Sequence, residues 1–129
     1  MPERREQYWA RMAFEKVSSV GTQPWAEDYG RQAKHLPALI HQCGVCQALT
    51  FLQAKGAAAG GAAKRQLLKD LASALQFSSA DALIAEARDS ATTSYHLLTR
   101  NALGCAVWFK RYAEALLRID EPSEDEETS

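Results

Sequence analysis

The chain has 129 residues, 47% of them hydrophobic and 24% charged, the balance of an ordinary globular protein with room for one core. Its formal charge of −1 hides an asymmetry: residues 120–129 hold six acidic side chains and no basic one, leaving residues 1–119 with 15 basic against 10 acidic groups, about +5. No apolar run approaches the roughly 18 residues of a membrane span, the N-terminal charges Glu3, Arg4, Arg5 and Glu6 are unlike a signal peptide, and three cysteines make no disulfide framework. A cytoplasmic protein with reduced thiols and no membrane partner is the expectation.

Apolar positions recur at helical spacing almost throughout and β-branched residues are sparse, so the expected fold class is all-α. The first helix is predicted from about Glu3 to Val20, with Trp9, Ala13, Val17 and Val20 on one side. Gly21 to Pro24 breaks it, with Pro24 expected in the first turn of the next helix. That second helix places Ala26, Tyr29, Ala33, Leu36 and Ile40 at alternating spacings of three and four. Pro37 lies inside the pattern and predicts a kink or a restart, because it removes an amide proton and crowds the preceding turn.

Gly44 ends the second segment, and a short helix with Val45, Ala48, Leu49 and Leu52 follows to Gly56. The Ala- and Gly-rich stretch Gly56 to Gly61 reads as a mobile loop tolerant of length change. A fourth helix spans about Ala62 to Leu75 and buries Leu67, Leu68, Leu71 and Leu75. Ser78 with Asp81 looks like the capping pair of a fifth, which ends near Arg88, where Asp89 or Ser90 can cap the sixth. In the last helix Tyr95, Leu98, Ala102, Cys105, Phe109, Tyr112 and Leu116 repeat at three and four, a seven-residue seam along one side. Leu97, Val107 and Trp108 lie off that seam; a helix apolar on several sides is central to its bundle or also touches a partner. The predicted organisation is a compact bundle of five to six helices over residues 1–119, dominated by the long C-terminal helix, with residues 120–129 as a disordered acidic tail.

Candidate chemistry is thin. Cys43 and Cys46 form a C-x-x-C near His35 and His41, but zinc needs four ligands and no second pair exists. A thioredoxin-like site would need a preceding strand. Neither His35, His41 nor His96 sits in a recognisable nucleophile–carboxylate pattern, and Gly60-Gly61 before Lys64 lacks the spacing of a phosphate loop. No metal, no cofactor and no catalytic residue are expected.

The cations are more informative when projected onto helices. Arg100, Arg111 and Arg118 fall at i, i+11 and i+18, one stripe opposite the seam, with Lys110 beside it. Arg31 and Lys34 point away from the apolar face of the second helix, as Arg65 and Lys69 do on the fourth. Such stripes can follow a phosphate backbone; they can equally be solvated faces with local ion pairs. Trp108 and Tyr112 are core residues, subunit contacts or stacking platforms.

Two blocks carry a family resemblance. The first holds Leu36-Pro37, Ile40, Gly44, Phe51-Leu52 and Lys55-Gly56. The second holds Trp108, Lys110-Arg111, Tyr112 and Ala113-Glu114-Ala115. In order and spacing they resemble the small all-helical subunit family of the type III-B (Cmr) CRISPR RNA-targeting complexes, with Cys43 standing where an Asn-like residue is expected. The resemblance implies a non-catalytic subunit that stacks with further copies of itself in a short filament and meets other CRISPR effector subunits. It also implies contact with the guide RNA–target RNA duplex, for which Arg31, Lys34, Arg65, Lys69, Arg100, Lys110, Arg111 and Arg118 are the candidates. Trp108, Leu97 and Val107 are the candidates for subunit contacts. The small subunit of type III-A complexes and a helical adaptor that binds only proteins are the alternatives.

Overall fold

The computed structural model describes residues 4–119. Its elements are α1 (Arg5–Ser19), α2 (Ala26–Cys43), α3 (Val45–Ala57), α4 (Ala62–Ala74), α5 (Ala80–Asp89) and α6 (Thr92–Leu116), with no strand among the described residues. The all-α expectation and the dominant C-terminal helix are both observed. The anticipated acidic tail lies outside the described residues.

One core joins the helices. Trp9, Ala13, Val17 and Val20 enter it from α1 and its end, Tyr29, Ala33, Leu36 and Ile40 from α2, and Val45, Ala48, Leu49 and Leu52 from α3. These are the positions that helical spacing selects, because removing apolar surface from water is what holds such an amphipathic segment in helical form.

Helix α6 packs most extensively on α2 and α1, and the contacts give the directions. Arg5 reaches Asn101 at 3.2 Å, Trp9 lies against Gly104 and Phe14 meets Tyr112, so α1 and α6 run parallel. The start of α2 meets the end of α6 through Gly30 and Ile119. The end of α2 meets the start of α6 where Gly44 lies against the Tyr95 hydroxyl, which also accepts from the Cys46 amide in the first turn of α3 at 3.2 Å, so α2 and α6 run antiparallel. A Cβ on Gly104 would fall 2.6 Å from the Trp9 ring; glycine is what lets that indole approach α6 so closely.

The boundaries differ instructively from expectation. Pro24 does not open α2. It occupies the second position of a turn closed by the Ala26 amide on the Gln23 carbonyl at 3.0 Å, where its fixed φ is already suitable. Pro37 does not restart the helix: α2 runs unbroken from Ala26 to Cys43, held in register by the buried Leu36 and Ile40 on either side. Gly44, at φ 84° and ψ 156°, is both the end of α2 and the start of α3, a conformation that essentially only glycine adopts without strain.

The Ala/Gly stretch is a tight corner rather than slack chain. A Cβ on Gly61 would collide with the Lys55 carbonyl, and one on Gly56 would lie 3.0 Å from the Arg65 backbone. Helix α4 ends in a Schellman motif, in which the Phe77 amide bonds the Ala72 carbonyl at 2.9 Å and the Gln76 amide the Ser73 carbonyl at 3.0 Å. Gln76 takes the left-handed position, φ 67°. The cap of α5 is Ser79, whose Oγ accepts from the Ala82 amide at 3.1 Å, one residue beyond Ser78. Ala91 stands at the cap of α6 in place of Asp89 or Ser90 and makes no side-chain cap bond.

Candidate functional site

Helices α1, α3, α4 and the start of α5 enclose an open groove of about 680 Å³. Lys16 and Ser19 from the end of α1, Leu52, Gln53 and Gly56 from α3, Arg65, Gln66 and Lys69 from α4, and Phe77 to Asp81 leading into α5 form its walls. Arg65 and Lys69 are brought together because they are one helical turn apart on the face of α4 turned from the core. The Arg65 guanidinium donates to the Gly56 carbonyl, which satisfies one of the open carbonyls at the end of α3 and aims the side chain along the rim. On the opposite side the Gln53 amide donates to Asp81 at 3.1 Å.

Asp70 lies beneath this groove and is the one buried charged side chain among the described residues. The Tyr29 hydroxyl donates to one carboxylate oxygen at 2.7 Å and the Gln66 amide to the other at 2.8 Å. Burial pushes the Asp70 carboxyl above its ordinary range, while those two bonds and the nearby Lys16 and Lys69 pull against that rise. Tyr29 is raised well above its usual value by burial and by the adjacent carboxylate. The pair ties α2 to α4 directly under the cationic rim.

The other candidate cations are dispersed. Arg31 bonds Glu27 at 3.5 Å and approaches Asp28 at 3.7 Å, and Lys64 approaches Asp28 from α4 at 3.9 Å; this is the local-ion-pair outcome. Lys34 is half-buried on the same helix. Arg100 and Arg111 are exposed on α6, and Lys110 is half-buried. Arg118 is not on their stripe, because α6 ends at Leu116 and Leu117 turns extended at φ −112° and ψ 148°. The projected third member therefore belongs to the segment after the helix.

The Arg111 guanidinium lies 4.8 Å from the centre of the Trp108 ring, Trp108 stacks on Tyr112 at 6.0 Å, and Tyr112 meets the edge of Phe14 at 5.4 Å. With Phe14 48% and Leu116 46% exposed, this cation–aromatic ladder forms an amphipathic surface over the α1–α6 seam. Leu97 is 51% exposed farther back along α6, and Val107 is half-buried beside the ladder.

Cys43 is exposed, Cys46 half-buried and Cys105 buried; burial pushes the Cys105 thiol up to about 12. Among the described residues no three His, Cys, Asp or Glu side chains converge as metal ligands, and no helix is long and apolar enough to cross a membrane. Lys16 and Asp70 are the groove residues that sequence reading missed. Lys16 borders the apolar side of α1 next to Val17, which was a usable signal. Nothing local marked Asp70 as buried.

Six packed helices, a cation-rimmed groove and an aromatic surface define a small all-α protein. The chain belongs to the family described as CRISPR-associated protein (Cas_Cmr5), which it matches over residues 5–116. A curated relative, the CRISPR system Cmr subunit Cmr5 of Thermus thermophilus, is 38% identical over 113 residues, covering 88% of this chain and 96% of the relative. The crystal structure of a CRISPR-associated Cmr5 family protein, also from Thermus thermophilus, superposes with a TM-score of 0.84 at 36% identity, covering 91% of this chain and all of that one.

Proposed function

We propose that this protein is the small subunit of a type III-B (Cmr) CRISPR effector complex and that it acts by shape and charge, without making or breaking bonds. The cations rimming the groove neutralise phosphates of the guide RNA–target RNA duplex without reading bases, the sequence-independent mode expected for an A-form helix. The α6 cations Arg100 and Arg111, both exposed, and the half-buried Lys110 extend that contact. The ladder of Phe14, Trp108 and Tyr112, with Val107 and Leu97, offers surfaces to a neighbouring copy in a filament and to companion subunits. Arg31 has carboxylates of its own and contributes less.

The observation that carries the reading is the convergence of Lys16, Arg65 and Lys69 on one open groove in a chain of this family. The test is reconstitution of the complex from its subunits, guide RNA and target RNA with the variant Arg65→Ala/Lys69→Ala. We expect target-RNA retention to fall, most at raised salt, while helical content is unchanged. Undiminished retention, or RNA turnover by the isolated protein, overturns it. A protein-only adaptor would lose nothing to these substitutions.

A further inference from the structure

The cation-rimmed groove has an apolar side as well. The buried Leu52 and Leu68 border it, and Phe77 lines its wall. The Schellman turn fixes Phe77, whose amide donates to the Ala72 carbonyl at 2.9 Å. Its side chain packs partly against the core and lines the groove with the remainder. Lys69 and Ser73 lie one helical turn apart on the same wall, so an ammonium group and an aromatic ring share one edge of α4. Lys16 enters from α1, and both lysines pull on the Asp70 carboxylate electrostatically. Among the described residues neither lysine is in an ion pair.

Two glutamines complete the lining. The Gln53 side-chain nitrogen donates to Asp81 at 3.1 Å and that of Gln66 to Asp70 at 2.8 Å. An ionised carboxylate only accepts, so each amide is held with its nitrogen toward its partner and its oxygen left as an acceptor. The volume of about 680 Å³ falls within the roughly 300–1,000 Å³ of small-molecule sites. A two-stranded helix reaches only the rim of such a space, whereas a single nucleotide enters it.

We propose that the groove holds one unpaired nucleotide of an RNA strand, its phosphate at Lys16 and Lys69 and its base against Phe77, with preference for a base that carries an exocyclic amino group. The ring offers a stacking face that any base can use, and the ammonium groups offer a phosphate contact. The Gln53 and Gln66 oxygens accept from the amino group of cytosine, adenine or guanine; uracil has none. The site deepens the RNA reading above and rests on it: duplex phosphates meet the rim, and an unpaired nucleotide beside the duplex fills the groove.

The test compares, on the full chain at low salt, the anisotropy of a fluorescent hexacytidylate RNA with that of a blunt RNA duplex. F77L keeps an apolar side chain against the core and removes the ring; it should weaken the single strand about tenfold and leave the duplex unchanged. K16Q/K69Q should lower the slope of log K against log salt for the strand by about 1.4. Hexauridylate should bind about threefold more weakly than hexacytidylate. Strand affinity untouched by F77L, an unchanged slope, or equal affinity for the two strands overturns the proposal. Irradiation of a strand containing 5-iodocytidine joins it to an aromatic ring in contact, a readout that needs no variant to fold. The adduct should map to Phe77; an adduct at Trp108 or Tyr112 alone, or none, overturns the assignment. Free cytidine monophosphate has the same chemistry and should compete only at roughly a hundredfold higher concentration than the strand; competition at equal concentration makes the free nucleotide the ligand and overturns the strand. Loss of duplex binding with strand binding intact sinks the duplex reading and leaves this site, and the converse sinks this site alone.

Discussion

Asp70 shows how a single side chain couples stability to solution conditions. Its folded-state pKa is raised by burial, so the folded protein keeps this proton to higher pH than the unfolded chain does. Between the ordinary aspartate value and the raised one, the native state binds more protons, and stability must fall as pH climbs through that window. Urea midpoints measured across it should decline for the native sequence and flatten for Asp70→Asn. Tyr29→Phe removes the 2.7 Å donor to this carboxylate and should cost about 1–3 kcal/mol at neutral pH, the penalty for leaving a buried acceptor short of a partner. Thiol chemistry should sort by environment as well. An aromatic disulfide reagent should label the exposed Cys43 first and reach Cys105, whose pKa burial pushes to about 12, only as the protein unfolds. None of this was readable from residue type: Asp70 lies two residues from the apolar Leu68 and one from Leu71, and its inward aim depends on where α2 places Tyr29.

At the scale of elements, period and composition located the helices, and the ends followed local chemistry that composition does not encode. Helix α6 illustrates the limit. The seam written at strict seven-residue spacing holds through Leu98, Ala102, Cys105 and Phe109, all buried, but its ends do not. Tyr95 and Tyr112 are half-buried and Leu116 is exposed, while Ala106 and Ala113 are buried in their place. A straight helix of 3.6 residues per turn drifts across a seven-residue repeat, and without a supercoiled partner the drift rotates Leu116 outward. The Schellman end of α4 was equally hidden, because its left-handed residue is Gln76 rather than glycine. Gln76→Gly should therefore stabilise the protein by about 1 kcal/mol, measured by thermal or urea unfolding. Ser79→Ala should destabilise by about 1 kcal/mol through the lost α5 cap. Gly104→Ala, with its Cβ 2.6 Å from Trp9, should cost about 1–3 kcal/mol as α1 and α6 are forced apart.

For the molecule as a whole, the sequence made the net basic character of residues 1–119 visible but could not sort the cations. Projection grouped Arg100, Arg111 and Arg118 on a single helix, which ends before the last of them. It separated Arg65 and Lys69 from Lys16, which the fold sets around the same groove. That grouping is a property of α1 meeting α4 and lies in no local pattern. If these three cations each neutralise one phosphate, removing all three should reduce the steepness of log K against log salt for duplex RNA by about 2.7.

The arrangement of α6 between α1 and α2 also bears on how the chain matures. Both of its principal neighbours belong to the first third of the sequence, yet α6 is the last of the six helices to leave a ribosome. Until it arrives, Trp9 lacks the α6 surface at Gly104 against which it packs, whereas the α3–α4 hairpin can pair at once across its short corner. Closing the long intervening segment is an entropic cost met before those contacts form. Nascent chains stalled ahead of Thr92 should accordingly be protease-sensitive and depend on a holdase. Resistance should appear in one step when the remaining 25-residue helix clears the exit tunnel.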